Sequence, residues 1–523
     1  MVAGPSALVL LGVALAVLAG VVATRLTPVP GPVFYVLAGL AVSYAPGFET
    51  FALPPHVIFY VFLPPLLYYA AFFTSPRETR AQALPILGLA IGLVLATLFA
   101  VGWTVAAATG VLGTGAGFLL GAVLGPTDPI AATAVIGRVR APERLQAILE
   151  GESLVNDGVG LVAFSIALAG VTSGSFSVAH GLARFGEVTA GGVAIGLALG
   201  FVVERIRRHV HDVEIEILVS LLTPYVAYIP AERAHVSGVL ATVATGIYLG
   251  WHSGGIFRPE VRLQSSAFWG ILNFLLTSSL FVLLGMEFPR VVGRLGDYSP
   301  LTLLWYSLLT MSVVGVVRMA WMFTVPYGLS RLPRVRTWRD LSPWQDRFVL
   351  GWSGMRGAVS LAAALSITQA VPHRALLLFL TFATILGGLL LQAVPLPWLL
   401  RRLGVASEGG MTRAETDARL ALTRAALDRL DELTDEEDWV SEDLVEPLRA
   451  TYEQRAARLH ARLEPDETDE QASEEDYRRL RRELVAAERK RLSRLQQKGK
   501  LATGEARRIQ HELDLEEARV TRR

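Results

Sequence analysis

Two oxygen-bearing side chains lie four residues apart in a largely apolar part of the chain. Ser153 and Asp157 share one face of any helix that contains them, because residues four apart are neighbours on a helix surface. A hydroxyl beside a carboxylate makes an anionic site of oxygen atoms, which suits a hard cation. The pair therefore predicts a cation site at Asp157.

A second polar pair, Glu152 and Asn156, has the same spacing one residue earlier. A carboxylate buried in a membrane protein needs a partner of opposite charge, and Arg356 is the predicted ion-pair partner of Glu152. The alternative is that a helix begins here, with Glu152 and Ser153 at the membrane surface. Asp157 would still lie about a turn and a half deeper, by the rise of an α-helix.

Pro126 and Pro129 interrupt the apolar segment that precedes these pairs. Each proline removes a backbone donor and clashes with the preceding turn, so the helix is expected to break. Asp128 then caps the second half-helix, with Pro129 in its first position, and the freed carbonyl of Thr127 faces a cation. The alternative is a simple proline kink in which Asp128 is only a structural cap.

Three glycines spaced by three, Gly351, Gly354 and Gly357, mark a second interruption, beside Arg356. They predict a flexible, closely packed or unwound segment. The alternative is a packing face of small residues, with Arg356 extending to the membrane surface. Arg318, in another apolar segment, either binds carbonyl groups of a broken helix or extends to the surface in the same way.

The elements that carry these residues are predicted to be membrane helices. Of the 523 residues, 52% are hydrophobic and only 18% are charged, whereas soluble domains are about a quarter charged. Residues 1–403 hold long apolar runs and predict a transmembrane domain. Residues 404–523 are dense in Arg, Glu and Asp and predict a helical cytoplasmic tail. This tail is either simply solvated or a regulatory or dimer-supporting domain. The absence of cysteine excludes disulfides and thiolate metal sites.

A helix needs about 20 apolar residues to cross a bilayer core, and thirteen segments are candidates. Successive loops lie on opposite sides of the membrane, and the loops of one side contain about three times as many arginines as those of the other. Because basic loops stay in the cytoplasm, the arginine-rich side is assigned to the cytoplasm. With thirteen spans the N-terminus lies outside and the C-terminus inside. The predicted spans are 6–23, 30–46, 54–74, 82–108, 115–136, 147–170, 181–204, 214–230, 235–251, 266–287, 299–327, 348–370 and 374–400.

Thirteen spans accommodate two six-helix halves of opposite orientation and one linking helix, the inverted repeat of many secondary transporters. The spans 115–136 and 348–370 are then counterparts, and both are interrupted. Interrupted spans in corresponding positions indicate a binding site. The predicted fold is therefore an all-α membrane protein with inverted six-helix repeats, two broken helices and a helical tail.

These motifs together resemble the sodium–proton exchanger branch of the monovalent cation:proton antiporters, which includes bacterial NhaP-like and animal NHE-like proteins. The matching segments are residues 62–67, 126–129, 152–158 and 351–357. The resemblance covers about residues 1–400 and is specific, because four motifs agree in order and spacing. One position departs from the pattern: Tyr69 stands where many relatives carry an acidic residue.

The resemblance implies a homodimer in the bacterial plasma membrane, in which a mobile core domain holds the two broken spans crossed over each other. It also implies residue roles. Asp157 would bind the ion and the proton, Ser153 and the Thr127 carbonyl would help to coordinate Na+, and Asn156 and Asp128 would shape the site. The predicted ion pair between Glu152 and Arg356 belongs to the same set of implications.

The predicted function is secondary active antiport, in which Na+ or Li+ is exchanged for H+ by alternating access in support of pH homeostasis. Asn156 beside Asp157 leaves one carboxylate to carry either one cation or one proton, which predicts electroneutral, one-for-one exchange. K+/H+ antiport by the same fold is the main alternative, and a cation channel and a membrane sensor rank lower. No enzyme activity, cofactor or nucleic-acid partner is predicted, and the sequence has no P-loop pattern for ATP.

Overall fold

The structure is a computed structural model that describes residues 5–461 except 28, 47, 49–53, 139–141, 174–177, 211, 257–258, 297, 330–342, 406–412 and 437–440, together with residues 484, 487, 488, 491 and 492. The chain forms two compact units, Met1–Glu408 and Gly409–Arg523. The described residues of both are helical and contain no β-strand, which confirms the predicted all-α class. The assignment of residues 1–403 to the membrane and 404–523 to the cytoplasm stays a prediction.

The described residues of the first unit form seventeen helices. Their bounds are α1 Pro5–Leu26, α2 Gly31–Ser43, α3 Pro55–Phe73, α4 Pro76–Ala81, α5 Ala83–Thr109, α6 Thr114–Leu124, α7 Ile130–Arg138, α8 Glu143–Ser173, α9 Val178–Arg207, α10 Val213–Arg233, α11 Gly238–Ile256, α12 Pro259–Val292, α13 Pro300–Leu329, α14 Trp344–Trp352, α15 Ala358–Ser366, α16 Arg374–Gly387 with a π-helical continuation Gly388–Ala393, and α17 Leu396–Arg402. In the second unit, α18 Arg413–Glu436 contacts α19 Glu442–Ala461, and Arg449 forms an ion pair with Asp431.

Nine helices in the described part of the chain are long and apolar enough to cross a membrane, and α2 and α6 are shorter apolar helices. Helix lies at each of the thirteen predicted spans. The number of crossings, the inverted repeats and the sidedness of the termini stay predictions, because length and composition alone do not fix them.

The helix α6 lies directly against α5 because two of its glycines face the α5 backbone. A Cβ on Gly117 would collide with the carbonyl of Gly102, and a Cβ on Gly121 would collide with the backbone of Leu98. Small residues allow such close approach of two membrane helices. The packing holds the C-terminal end of α6, at Leu124, inside the first unit.

The two interrupted spans lie at the centre of the first unit. The helix α15 is buried from Ala358 to Leu365, and Leu119, Leu120 and Leu124 of α6 have no exposed surface. Water does not reach backbone groups at this depth, so the ends of the four half-helices must be satisfied by protein groups.

Candidate functional site

The two interruptions cross each other. The first separates α6 from α7 at residues 125–129, and the second separates α14 from α15 at residues 353–357. The backbone N–H of Asp128 in the first break donates to the carbonyl of Met355 in the second, at 2.7 Å. Four half-helix ends therefore meet in one place, two N-terminal ends that carry partial positive charge and two C-terminal ends that carry partial negative charge.

The Asp128 carboxylate lies at both N-terminal ends. Its Oδ1 accepts from the N–H of Ile130 at 2.9 Å, at the start of α7, and its Oδ2 accepts from the N–H of Ala358 at 3.5 Å, at the start of α15. A Cβ on Gly357 would collide with this carboxylate, so the close approach requires glycine. The cap on α7 follows the sequence expectation, whereas the bond to α15 is an addition from the tertiary structure.

Two buried arginines lie at the C-terminal ends. Arg356 Nε donates to the carbonyl of Leu124, the last residue of α6, at 2.9 Å, and its Nη1 donates to the carbonyl of Gly354. Arg318 Nε donates to the carbonyl of Leu350 in α14 at 3.1 Å. A cation near the C-terminus of a helix offsets the partial negative charge of its unpaired carbonyl groups. Of the two readings of Arg318, the carbonyl-binding one is therefore the one observed.

The ion-pair partner of Glu152 is Arg318. Arg318 Nη1 and Nη2 donate to Glu152 Oε1 and Oε2 at 2.5 and 2.8 Å, and both side chains are 1% exposed. The predicted pair of Glu152 with Arg356 is corrected by this geometry. Arg356 is close enough to interact electrostatically with Glu152 but is held by carbonyl groups of the two breaks. The forked guanidinium of Arg318 instead matches the carboxylate with two parallel bonds.

A chain of hydrogen bonds connects Glu152 to the first break. The hydroxyl of Thr127 donates to Glu152 Oε1 at 2.9 Å and accepts from Asn156 Nδ2 at 2.8 Å. Glu152 and Asn156 are both buried. Asn156 Oδ1 is buried and has no hydrogen-bond partner among the described residues. These hydrogen bonds hold this face of α8 against the first break, and the Asn156 Oδ1 atom remains available to accept a hydrogen bond.

The adjacent face of α8 carries Ser153 and Asp157. Both side chains are half-buried, and within the described ranges no hydrogen bond reaches either of them. The carboxylate of Asp128 is close enough to repel that of Asp157 electrostatically. A positive charge between them would relieve this repulsion. The roles of Ser153, Asp157, Thr127, Asn156 and Asp128 as ion-binding or site-shaping residues stay predictions.

A cavity of about 970 Å³ approaches the same face of α8. Leu161, one helical turn beyond Asp157, lines it, as does Ser366 at the end of α15. Ser173, at the C-terminal end of α8, and Glu232 and His235, at or just beyond the C-terminal end of α10, also belong to the lining. The cavity therefore extends along α8 between Leu161 and the C-terminal end of the helix.

Sequence reasoning missed the pair of Glu152 with Arg318 and the second bond of Asp128. A signal for the first was present, because Arg318 lies well inside the 30-residue apolar helix α13 and is 1% exposed. A charge at such depth needs a partner inside the protein. No local signal identified Ala358 as a donor to Asp128, since the two residues are 230 positions apart.

Comparison with known proteins gives a consistent result. A family model described as "Sodium/hydrogen exchanger, transmembrane" matches residues 13–402. A Na+/H+ exchanger of Mycobacterium tuberculosis, itself named as uncharacterised, is 33% identical over 528 residues, covering 98% of this chain and 96% of that protein. The sodium, potassium, lithium and rubidium/H+ antiporter of Bacillus subtilis is 33% identical over 395 residues, covering 71% of this chain and 58% of that protein.

Among solved structures, the chain is similar to the sodium proton antiporter MjNhaP1 from Methanocaldococcus jannaschii at pH 8. The TM-score is 0.60 at 21% sequence identity, and the match covers 77% of this chain and 99% of that chain. At this identity the similarity establishes a common fold.

Proposed function

The chain belongs to the sodium/hydrogen exchanger family, whose members are transporters rather than enzymes, and we propose that it exchanges Na+ or Li+ for H+ at Asp157. It is a multi-pass membrane protein. The observation that carries the proposal is the contrast between two faces of α8. Glu152 and Asn156 are fully buried and held by hydrogen bonds, whereas Ser153 and Asp157 are half-buried and receive none from the described residues.

The mechanism is competition for one carboxylate. Deprotonated Asp157 attracts a cation, and the Ser153 hydroxyl one turn away supplies a second oxygen. The Thr127 carbonyl is the proposed third ligand, because its side chain is held against α8 by Asn156. A proton on Asp157 removes the charge that holds the cation, so the two substrates exclude each other. The occupied site then alternates between the two sides of the membrane.

The charges around the breaks support an electroneutral cycle. They are Asp128, Glu152, Asp157, Arg318 and Arg356. Three carboxylates and two guanidinium groups leave one formal negative charge, which either one monovalent cation or one proton cancels. Moving the site while it is empty would carry an uncompensated charge through a region of low dielectric constant, and such a move is strongly disfavoured. Each direction of the cycle therefore carries one occupant, and exchange is one-for-one.

The large cavity is the proposed aqueous route to Asp157. Its lining includes Leu161, one helical turn from Asp157, and residues at the C-terminal ends of α8 and α10, where we propose that it opens. Under the predicted orientation this is the external side of the membrane. A leucine-to-tryptophan substitution at Leu161 should therefore slow exchange from that side by narrowing the path.

Potassium is the principal alternative substrate. The antiporter of Bacillus subtilis that this chain resembles is named for sodium, potassium, lithium and rubidium. A carboxylate and two oxygen ligands bind any of these ions, so K+/H+ exchange by the same residues is the second candidate. A channel or a sensor is favoured by no feature of the site.

Cation-driven proton flux in proteoliposomes tests the proposal. With Na+, Li+ and K+ compared across pH, we expect flux with Na+ and Li+ and loss of flux in Asp157→Asn. Ser165→Ala is the matched control, because Ser165 lies on α8 and lines the cavity, and its hydroxyl donates to the Leu161 carbonyl and to no other group among the described residues. Flux that persists in Asp157→Asn would reject the site, and flux with K+ alone would select the alternative.

We further propose a homodimer in the bacterial plasma membrane, with the N-terminus outside and the second unit in the cytoplasm. Mass measurement of the protein in native-like membrane particles should give twice the monomer mass. Labelling of single cysteines introduced at the two termini should reach only the N-terminal one in intact cells. A monomeric mass or the reverse labelling would overturn the respective part.

A further inference from the structure

A second cavity lies in the first unit, away from the crossed breaks. Its volume is about 300 Å³, which is in the range of small-molecule sites. It is formed where α3, α9 and α11 end and where α12 begins, with α10 on its inner side. None of the residues assigned to ion exchange lines it.

The lining of this cavity is rich in groups that donate hydrogen bonds to anions. Two arginines, Arg207 and Arg262, contribute to it. Six hydroxyl side chains accompany them: Thr74, Ser75, Ser220, Ser253, Ser265 and Ser266. Among the described lining residues none is acidic. Guanidinium groups together with hydroxyl donors form an arrangement that recognises phosphate oxygens.

The side chain of Arg207 is buried in the wall of the cavity. It is the last residue of α9, its side chain is 1% exposed, and its Nε donates to Glu216 Oε1 at 2.9 Å. Glu216 belongs to the first turn of α10 and is itself buried. The ion pair holds the guanidinium in place at the inner side of the cavity. Arg262 is exposed and supplies a second positive charge at the rim.

One hydroxyl group in the lining of the cavity has no hydrogen-bond partner among the described residues. The indole N–H of the buried Trp269 donates to Ser220 Oγ at 2.9 Å, and the ring of Trp269 packs against Tyr68 and Tyr69. Ser265 Oγ is buried and has no hydrogen-bond partner within the described part of the chain. A buried hydroxyl without a partner is unfavourable. An oxygen atom of a ligand in the cavity would satisfy it.

From this lining we infer that the cavity binds a phosphate group, presented either by an anionic phospholipid or by free phosphate. The helix ends that form this cavity adjoin the basic loops, which the sequence assigns to the cytoplasmic surface. The inference concerns a site separate from Asp157 and does not depend on which cation is exchanged.

Thermal unfolding of the purified full-length protein tests the inference. The probes are inorganic phosphate against chloride at equal ionic strength, and phosphatidylglycerol against phosphatidylcholine in mixed micelles. Anything that binds the folded state raises the unfolding midpoint. We expect a rise with at least one of the two phosphate probes. A rise with phosphatidylglycerol alone identifies the lipid as the source, and a rise with inorganic phosphate alone identifies a soluble anion.

Arg262→Gln should raise the half-saturating concentration of the stabilising probe about tenfold, which corresponds to a loss of about 1.4 kcal/mol of binding free energy. Because Arg262 is exposed, this substitution is compatible with folding. Arg205→Gln is the matched control, since Arg205 is exposed in the last turn of α9 and does not line the cavity. The inference is overturned if neither probe raises the midpoint, or if Arg262→Gln responds as the wild-type chain and Arg205→Gln do.

Discussion

Replacing Arg318 by methionine leaves the Glu152 carboxylate without the guanidinium that binds both of its oxygens. Removing one partner of a buried ion pair costs about 3–5 kcal/mol, because the remaining charge stays away from water. Both side chains are 1% exposed, so solvent screening does not reduce this figure. Thr127 keeps its hydrogen bond to Glu152, and we therefore expect the free energy of unfolding to fall by about 3 kcal/mol, at the lower end of that range.

A double-mutant cycle with Glu152→Gln isolates the interaction of the pair. The Glu152→Gln/Arg318→Met protein should recover most of the loss, with a coupling energy of about 2–3 kcal/mol. The matched control is the cycle of Glu152→Gln with Arg356→Met. Arg356 is bound to the carbonyl groups of Leu124 and Gly354, so its coupling to Glu152 should stay below about 1 kcal/mol.

Chemical unfolding in mixed micelles, followed by tryptophan fluorescence, measures all six proteins on one scale. The reasoning is refuted if Glu152 couples more strongly to Arg356 than to Arg318. It is also refuted if Arg318→Met unfolds with the same free energy as the unsubstituted chain.

Three further substitutions address the site. Asn156→Asp adds a second carboxylate beside Asp157, so each cycle should carry net charge and vesicle transport should respond to an imposed voltage; exchange that stays voltage-independent would contradict the charge argument. Ser153→Ala removes one oxygen ligand and should raise the KM for Na+ about tenfold, or about 1.4 kcal/mol, in initial-rate measurements; an unchanged KM would remove Ser153 from the ligand set. Gly357→Ala should destabilise the protein by about 1–3 kcal/mol through overpacking, seen as a lower unfolding midpoint, whereas Gly137→Ala, with open space at its Cβ, should not.

The two breaks could be predicted from sequence because proline and glycine act on their own backbone. Pro126 and Pro129 lack a backbone donor in any tertiary context, and the helix is interrupted at residues 125–129. The capping of α7 by Asp128 follows from the same local rule. The spacing of Ser153 and Asp157 on one helix face is likewise a local property of α8.

Contacts between distant segments could not be predicted in the same way. Two arginines, Arg318 and Arg356, lie in apolar segments, and spacing along the chain does not say which one meets Glu152. The choice depends on the packing of α13 against α14 and α8, which directs the fork of Arg318 at both Glu152 oxygens. Arg356 lies within the second break itself, so the nearest acceptors for it are carbonyl groups of the helix ends.

Isothermal titration of Na+ into the purified protein, in buffers of different ionisation enthalpy, tests competition at Asp157 most directly. Cation binding should release protons, and the number released per bound cation should rise towards one as the starting pH is lowered. Asp157→Asn should neither bind Na+ nor release a proton. Binding without proton release at every pH, or binding retained in Asp157→Asn, would contradict this competition.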